Sequence, residues 1–132
     1  MNAQVMREVM GETQAGKLIF PEVVRRLLEV GVESYFCDFA AAQETLYLPD
    51  GETHTEKMTL AMEPVAAEFS QSELLAAIRG AQTDSIRYPE FVKRAARAGV
   101  IGYWAFLTGR KVIYFGRKGE FHVENFPAAK LK

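Results

Sequence analysis

The fold this sequence predicts is an α+β domain: an antiparallel sheet with helices packed against it, built from one ααβββ unit that occurs twice by internal duplication. Three observations predict it. The chain matches itself at a shift of 68 positions, each copy carries a proline and a glycine where a helix would begin and end, and each glycine is followed by three runs rich in aromatic and β-branched residues.

The shift lays Lys17 to Glu56 over Ser85 to Glu124 without a gap. Phe20-Pro21-Glu22 falls on Tyr88-Pro89-Glu90, Gly31-Val32 on Gly99-Val100, Tyr35 on Tyr103, and Gly51-Glu52-Thr53-His54-Thr55-Glu56 on Gly119-Glu120-Phe121-His122-Val123-Glu124. Scarce residues coincide, and they are the ones that punctuate backbone. A single domain over 1–132 follows, with one repeat at about 3–58, a link at 59–69 containing Pro64, and a second repeat at about 70–126.

Each element has a local reason. Proline at the start of a helix loses no hydrogen bond, and glycine just past the end accepts the left-handed conformation that closes one. Between these marks Val23, Val24, Leu27 and Leu28 form a helical stripe, matched by Phe91, Val92, Ala95 and Ala96. Ser70 with Glu73 makes a capping box for a helix from about Gln71 to Ala81, and Val5, Met6, Val9 and Met10 repeat at helical spacing near the N-terminus. The strand runs are Val32 to Phe39, Thr45 to Leu48 and Thr53 to Met58, then Val100 to Leu107, Lys111 to Phe115 and Phe121 to Phe126. Thr108-Gly109 suits a two-residue hairpin, and Pro49-Asp50-Gly51 a tight turn. The Val100 run is apolar on both faces, which places it centrally, with helices on one side and another layer or subunit on the other.

Composition bounds the setting. A chain of 132 residues, 48% hydrophobic, buries roughly two-thirds of its unfolded surface and needs no staples. The one cysteine, Cys37, rules out an intramolecular disulfide and points to a reducing, cytoplasmic setting, where it reads as a small buried hydrophobe. The N-terminus does not read as a signal peptide, and no apolar run approaches the roughly 20 residues of a membrane span. Walker, dinucleotide-binding, His-Glu-x-x-His and Gly-x-Ser-x-Gly motifs are absent, which lowers the weight of enzymatic readings.

Two trios remain as candidate ligand or metal residues. Glu52, His54 and Glu56 alternate along one strand, as do Glu120, His122 and Glu124 along its counterpart, so each trio lies on one face. In this reading Phe121 and Val123 turn the other way, into the core. If the two strands converge, two imidazoles and several carboxylates would bind a divalent metal or carry hydrolysis; otherwise the pattern is a wet strand face, and no other cofactor is indicated. Tyr35, Tyr103 and Trp104 are candidate pocket residues, hydroxyls and an indole that would meet a planar ligand if they are not simply packing.

Charge divides unevenly. Residues 1–66 carry 5 cations and 11 anions, net −6; the rest carry 16 − 5 = 11 cations and 17 − 11 = 6 anions, net +5, which sums to the chain's −1. Lys93, Arg94, Arg97, Arg110, Lys111, Arg117 and Lys118 would suit nucleic acid, but they are scattered over helix, turn and strand. Complementary halves favour self-association, a homodimer in the simplest case, so the leading expectation is a non-enzymatic interaction domain rather than a partner of nucleic acid or membrane.

The words Tyr88-Pro89-Glu90-Phe91, Ala98-Gly99-Val100-Ile101-Gly102-Tyr103-Trp104, Pro49-Asp50-Gly51-Glu52-Thr53-His54 and Gly119-Glu120-Phe121-His122-Val123-Glu124 resemble the YbcV-like family of small bacterial proteins. That family is a domain of unknown function, some members of which bear the label "phage envelope protein". The resemblance implies a fold and brings no active site with it.

Overall fold

A computed structural model describes residues 1–126. The elements run α1 (Ala3–Gln14), α2 (Phe20–Glu29), β1 (Ser34–Asp38), β2 (Gln43–Tyr47), β3 (Thr53–Lys57), α3 (Gln71–Gln82), α4 (Tyr88–Arg97), β4 (Val100–Phe106), β5 (Lys111–Gly116) and β6 (Phe121–Asn125). The order ααβββ occurs twice, and adding 68 to the bounds of α1, α2 and β3 gives those of α3, α4 and β6.

The six strands form one antiparallel sheet in the order β3-β2-β1-β4-β5-β6. The first three strands make one half, the last three the other, and β1 joins β4 at the centre through Tyr35↔Ala105 and Cys37↔Tyr103. This central pairing maps onto itself under the 68-residue shift. β4 is therefore a central strand, as its doubly apolar sequence predicts.

Local chemistry fixes the helices. The Ser70 hydroxyl accepts from the Glu73 N–H at 3.2 Å, and the Glu22 carboxylate accepts from the Ile19 N–H at 3.0 Å, each occupying a donor the first turn leaves free. Pro21 and Pro89 lie in the first turns of α2 and α4, and Gly31 and Gly99 follow their ends with φ of 87° and 91°. One hairpin departs from expectation. Four residues, not two, separate β4 from β5, and Arg110 takes the left-handed position at φ 63°, donating its N–H to the Phe106 carbonyl at 2.7 Å.

All four helices lie on one face of the sheet, over one cluster that includes Met6, Val9 and Met10 of α1, Leu27 of α2, Leu74 of α3, and Ala95 of α4. The halves interlock at the helix starts. Phe20 of α2 sets its ring edge-on to Phe126 after β6, while the Tyr88 hydroxyl of α4 reaches Cys37 on β1. The described link residues lean on the second half: Ala66 N–H donates to the Ala96 carbonyl, and Arg97 forks onto Glu63. No helix among the described residues is long and apolar enough to cross a membrane.

Candidate functional site

Alternation along each strand sorts the sheet's side chains into two faces, and the register lines them up across it. On the helix-covered face one row reads His54, Leu46, Tyr35, Ala105, Val112, Glu124, and the next reads Glu56, Glu44, Cys37, Tyr103, Tyr114, His122. Every residue of the second row carries a heteroatom.

Glu44 is the unusual member. Its side chain is 1% exposed and makes no hydrogen bond among the described residues, and its Oε1 is sealed from water. Burial, followed by the Glu56 carboxylate beside it, pushes its carboxyl up to about 8, so it is uncharged at neutral pH. Opposite Glu44 in the ladder sits Cys37, also buried, whose thiol is pushed up by burial and then by Glu44. The Cys37 thiol donates to the Met58 thioether at 3.6 Å and lies 3.5 Å from the Tyr88 hydroxyl, which shares a 2.7 Å hydrogen bond with Tyr103. Burial raises the hydroxyls of Tyr35, Tyr88 and Tyr103 well above the ordinary phenol range. The site is a neutral, buried line of acid, thiol and phenol groups. On sequence alone Glu44 is missed, because the predicted strand starts at Thr45; the signal that could find it is strand parity with Leu46, which makes Glu44 a break in an apolar face.

The two histidines do not converge. β3 and β6 are the opposite edges of the sheet, which places His54 and His122 at its far ends. His54 pairs with Glu56, which also binds Arg7 of α1. His122 pairs with Glu124 and with Gln71 of α3, and Glu124 takes Arg79 and Gln82 as well. Burial pushes Glu124 up, but hydrogen bonds from Arg79, His122 and Gln82 outweigh it and hold the group below its usual range. Glu52 and Glu120 fall outside the strands, and Glu120 accepts from the Lys118 N–H at its turn. Among the described residues no three His, Cys, Asp or Glu side chains gather to hold a metal ion.

The facing of β6 is also the reverse of the expectation. Phe121 and Val123 are 65% and 37% exposed, whereas His122 and Glu124 are largely covered. At the sheet's edges the helices offer polar partners, Arg7 from α1 and Gln71, Arg79 and Gln82 from α3, so the polar side of the strand turns inward.

Tyr103 and Trp104, as strand neighbours, point to opposite faces and cannot hold one ligand together. Tyr35 and Tyr103 are buried under the helices with ring centroids 6.2 Å apart. Trp104 stands on the bare face, in the row Thr55, Thr45, Phe36, Trp104, Ile113, Val123. It stacks on Tyr47 and on Phe106, both at 5.5 Å, and meets Phe36 edge-on at 5.2 Å. A shallow groove runs along this platform past Ser34, Lys111 and Ile113, and the Trp104 Nε1 in it is sealed from water without an acceptor among the described residues.

The family described as "Protein of unknown function (DUF1398)" matches residues 2–125. The chain belongs to this family. The family's description carries neither the YbcV-like name nor the phage label. Similar proteins include "Uncharacterized protein Rv2012" and "Uncharacterized protein MT2067" of Mycobacterium tuberculosis and "Uncharacterized protein Mb2035" of Mycobacterium bovis, each 27% identical over 113 residues, which is 84% of this chain and 68% of theirs.

Proposed function

We propose that this DUF1398 chain is a non-enzymatic interaction domain and that a second copy of itself covers the bare sheet face. The observation that carries the reading is the aromatic platform of Phe36, Tyr47, Trp104 and Phe106, apolar and without a covering element among the described residues. Contiguous apolar surface of this kind marks interaction sites in soluble proteins.

Area and charge favour a second copy as the occupant. Six strands about 4.8 Å apart and about 20 Å long give one sheet face of on the order of 550 Å², roughly 1,100 Å² for two copies, just above the roughly 1,000 Å² a biological interface needs. Two-fold packing can run its axis along the strands or across them. With the axis along the strands, the β3 half of one copy meets the β6 half of the other, and the −6 half of residues 1–66 faces a half whose described residues, 67–126, carry 9 cations and 6 anions, net +3. With the axis across them like faces like, so electrostatics selects the first arrangement.

Light scattering tests this reading. The wild type should run as a dimer that weakens as salt rises, because the charged halves are then screened. Ile113→Glu, which puts a carboxylate next to Trp104 at the edge of the platform, should run as a folded monomer. A wild type that is monomeric at every workable concentration, or a dimer indifferent to Ile113→Glu, would overturn it.

A further inference from the structure

The two halves of the sheet provide an internal comparison. Under the 68-residue shift the corner made by Cys37, Glu44, Met58 and Tyr88 corresponds to one made by Ala105, Val112, Phe126 and Phe20. The ladder obeys the same correspondence, Cys37↔Glu44 against Ala105↔Val112. One corner carries hydrocarbon side chains at all four positions. The other places a thiol, a carboxyl, a thioether and a phenol at the same four positions. The fold's geometry therefore does not require these heteroatoms, and opposite Cys37 lies Glu44, 1% exposed, whose sealed Oε1 has no hydrogen-bond partner among the described residues.

We propose that this corner binds a soft monovalent metal cation of the Cu(I) and Ag(I) class, held by the Cys37 and Met58 sulfurs, with Glu44 opposite Cys37 in the ladder. Thiolate and thioether are the ligands that select such ions. The Sγ to Sδ separation is 3.6 Å. With metal–sulfur bonds of about 2.3 Å, it subtends an angle of roughly 100°, a bent arrangement that leaves room for an oxygen ligand. Charge selects the valence. On binding, the Cys37 S–H bond breaks, a sulfur–metal bond forms and the proton leaves to solvent, so thiolate and monovalent cation cancel inside a low-dielectric site. Against one thiolate, a divalent ion would leave a net positive charge buried.

The test is a titration of the reduced full chain with Ag(I) against a competing soft-metal chelator, following thiolate-to-metal absorption and proton release. The wild type should bind one equivalent and release one proton. Cys37→Ala, which installs the residue the other corner carries, should lose that equivalent while keeping the wild-type circular dichroism. Met58→Leu, close in volume, should weaken binding at least tenfold. Failure of the wild type to compete with the chelator, retention by Cys37→Ala, or wild-type affinity in Met58→Leu, which would reduce the site to a bare cysteine, each overturns the proposal.

Discussion

A buried carboxyl without a hydrogen bond makes stability depend on pH in a direction that can be worked out. Glu44 titrates near 8 in the folded chain, against 4.5 as the ordinary value, so the folded state holds a proton that the unfolded chain releases. Stability from this group is complete below pH 4.5 and falls as pH rises towards 8, by on the order of 4 to 5 kcal/mol across the window. Glu44→Gln cannot ionise. Denaturant unfolding of both proteins at pH 4.5, 6 and 8 should show the variant increasingly the more stable of the two as pH rises, with the gap closing at the acid end; a gap independent of pH would contradict the account. The residues of this row were only partly legible in the sequence. Cys37 reads as buried from its strand and its alanine counterpart, but the neighbours that isolate Glu44 come from β1, β3 and α4, and only register brings them together. The histidines misled for a related reason. Alternation shows that His122 and Glu124 share a face, but which face is inward depends on whether the helix above offers Arg79 and Gln71 or hydrocarbon.

Among the elements, two glycines at corresponding helix ends have different surroundings. Gly31 has φ 87° and open space where a Cβ would stand, whereas a Cβ on Gly99, at φ 91°, would lie 2.3 Å from the Glu68 carbonyl oxygen. Gly31→Ala should cost about 1 to 2 kcal/mol, the conformational penalty alone. Gly99→Ala adds a clash with backbone held by the Ser70 N–H to Ala98 carbonyl bond, for a total of about 2 to 5 kcal/mol. Thermal or denaturant unfolding of the two variants checks the order, and equal losses would count against it. Helix bounds were well marked in the sequence because proline, glycine and capping serine act within a few residues of themselves. The β4–β5 turn was longer than Thr108-Gly109 implied because Arg110, not a glycine, takes the left-handed position, and Arg110 sits over the Phe126 ring, with 5.6 Å from guanidinium carbon to ring centroid.

For the whole molecule, the order of elements and the central place of β4 follow from the repeat and from apolar runs. The merging of both halves into one sheet also follows, since each half alone would have a marginal core. Which sheet face stays bare was not legible, because Phe36, Trp104 and Phe106 read as core residues in a strand apolar on both sides. That bare face is where the account of function rests, and the chain's one tryptophan stands on it. The most direct measurement is therefore Trp104 fluorescence as the protein is diluted at low salt, recorded beside its mass by light scattering. The account predicts emission that shifts to the red along the same concentration curve as the mass halves, as the part of the indole ring left open on the bare face meets water. A mass that falls while the emission stays fixed, or emission and mass that never change from the values of a monomer, would contradict it.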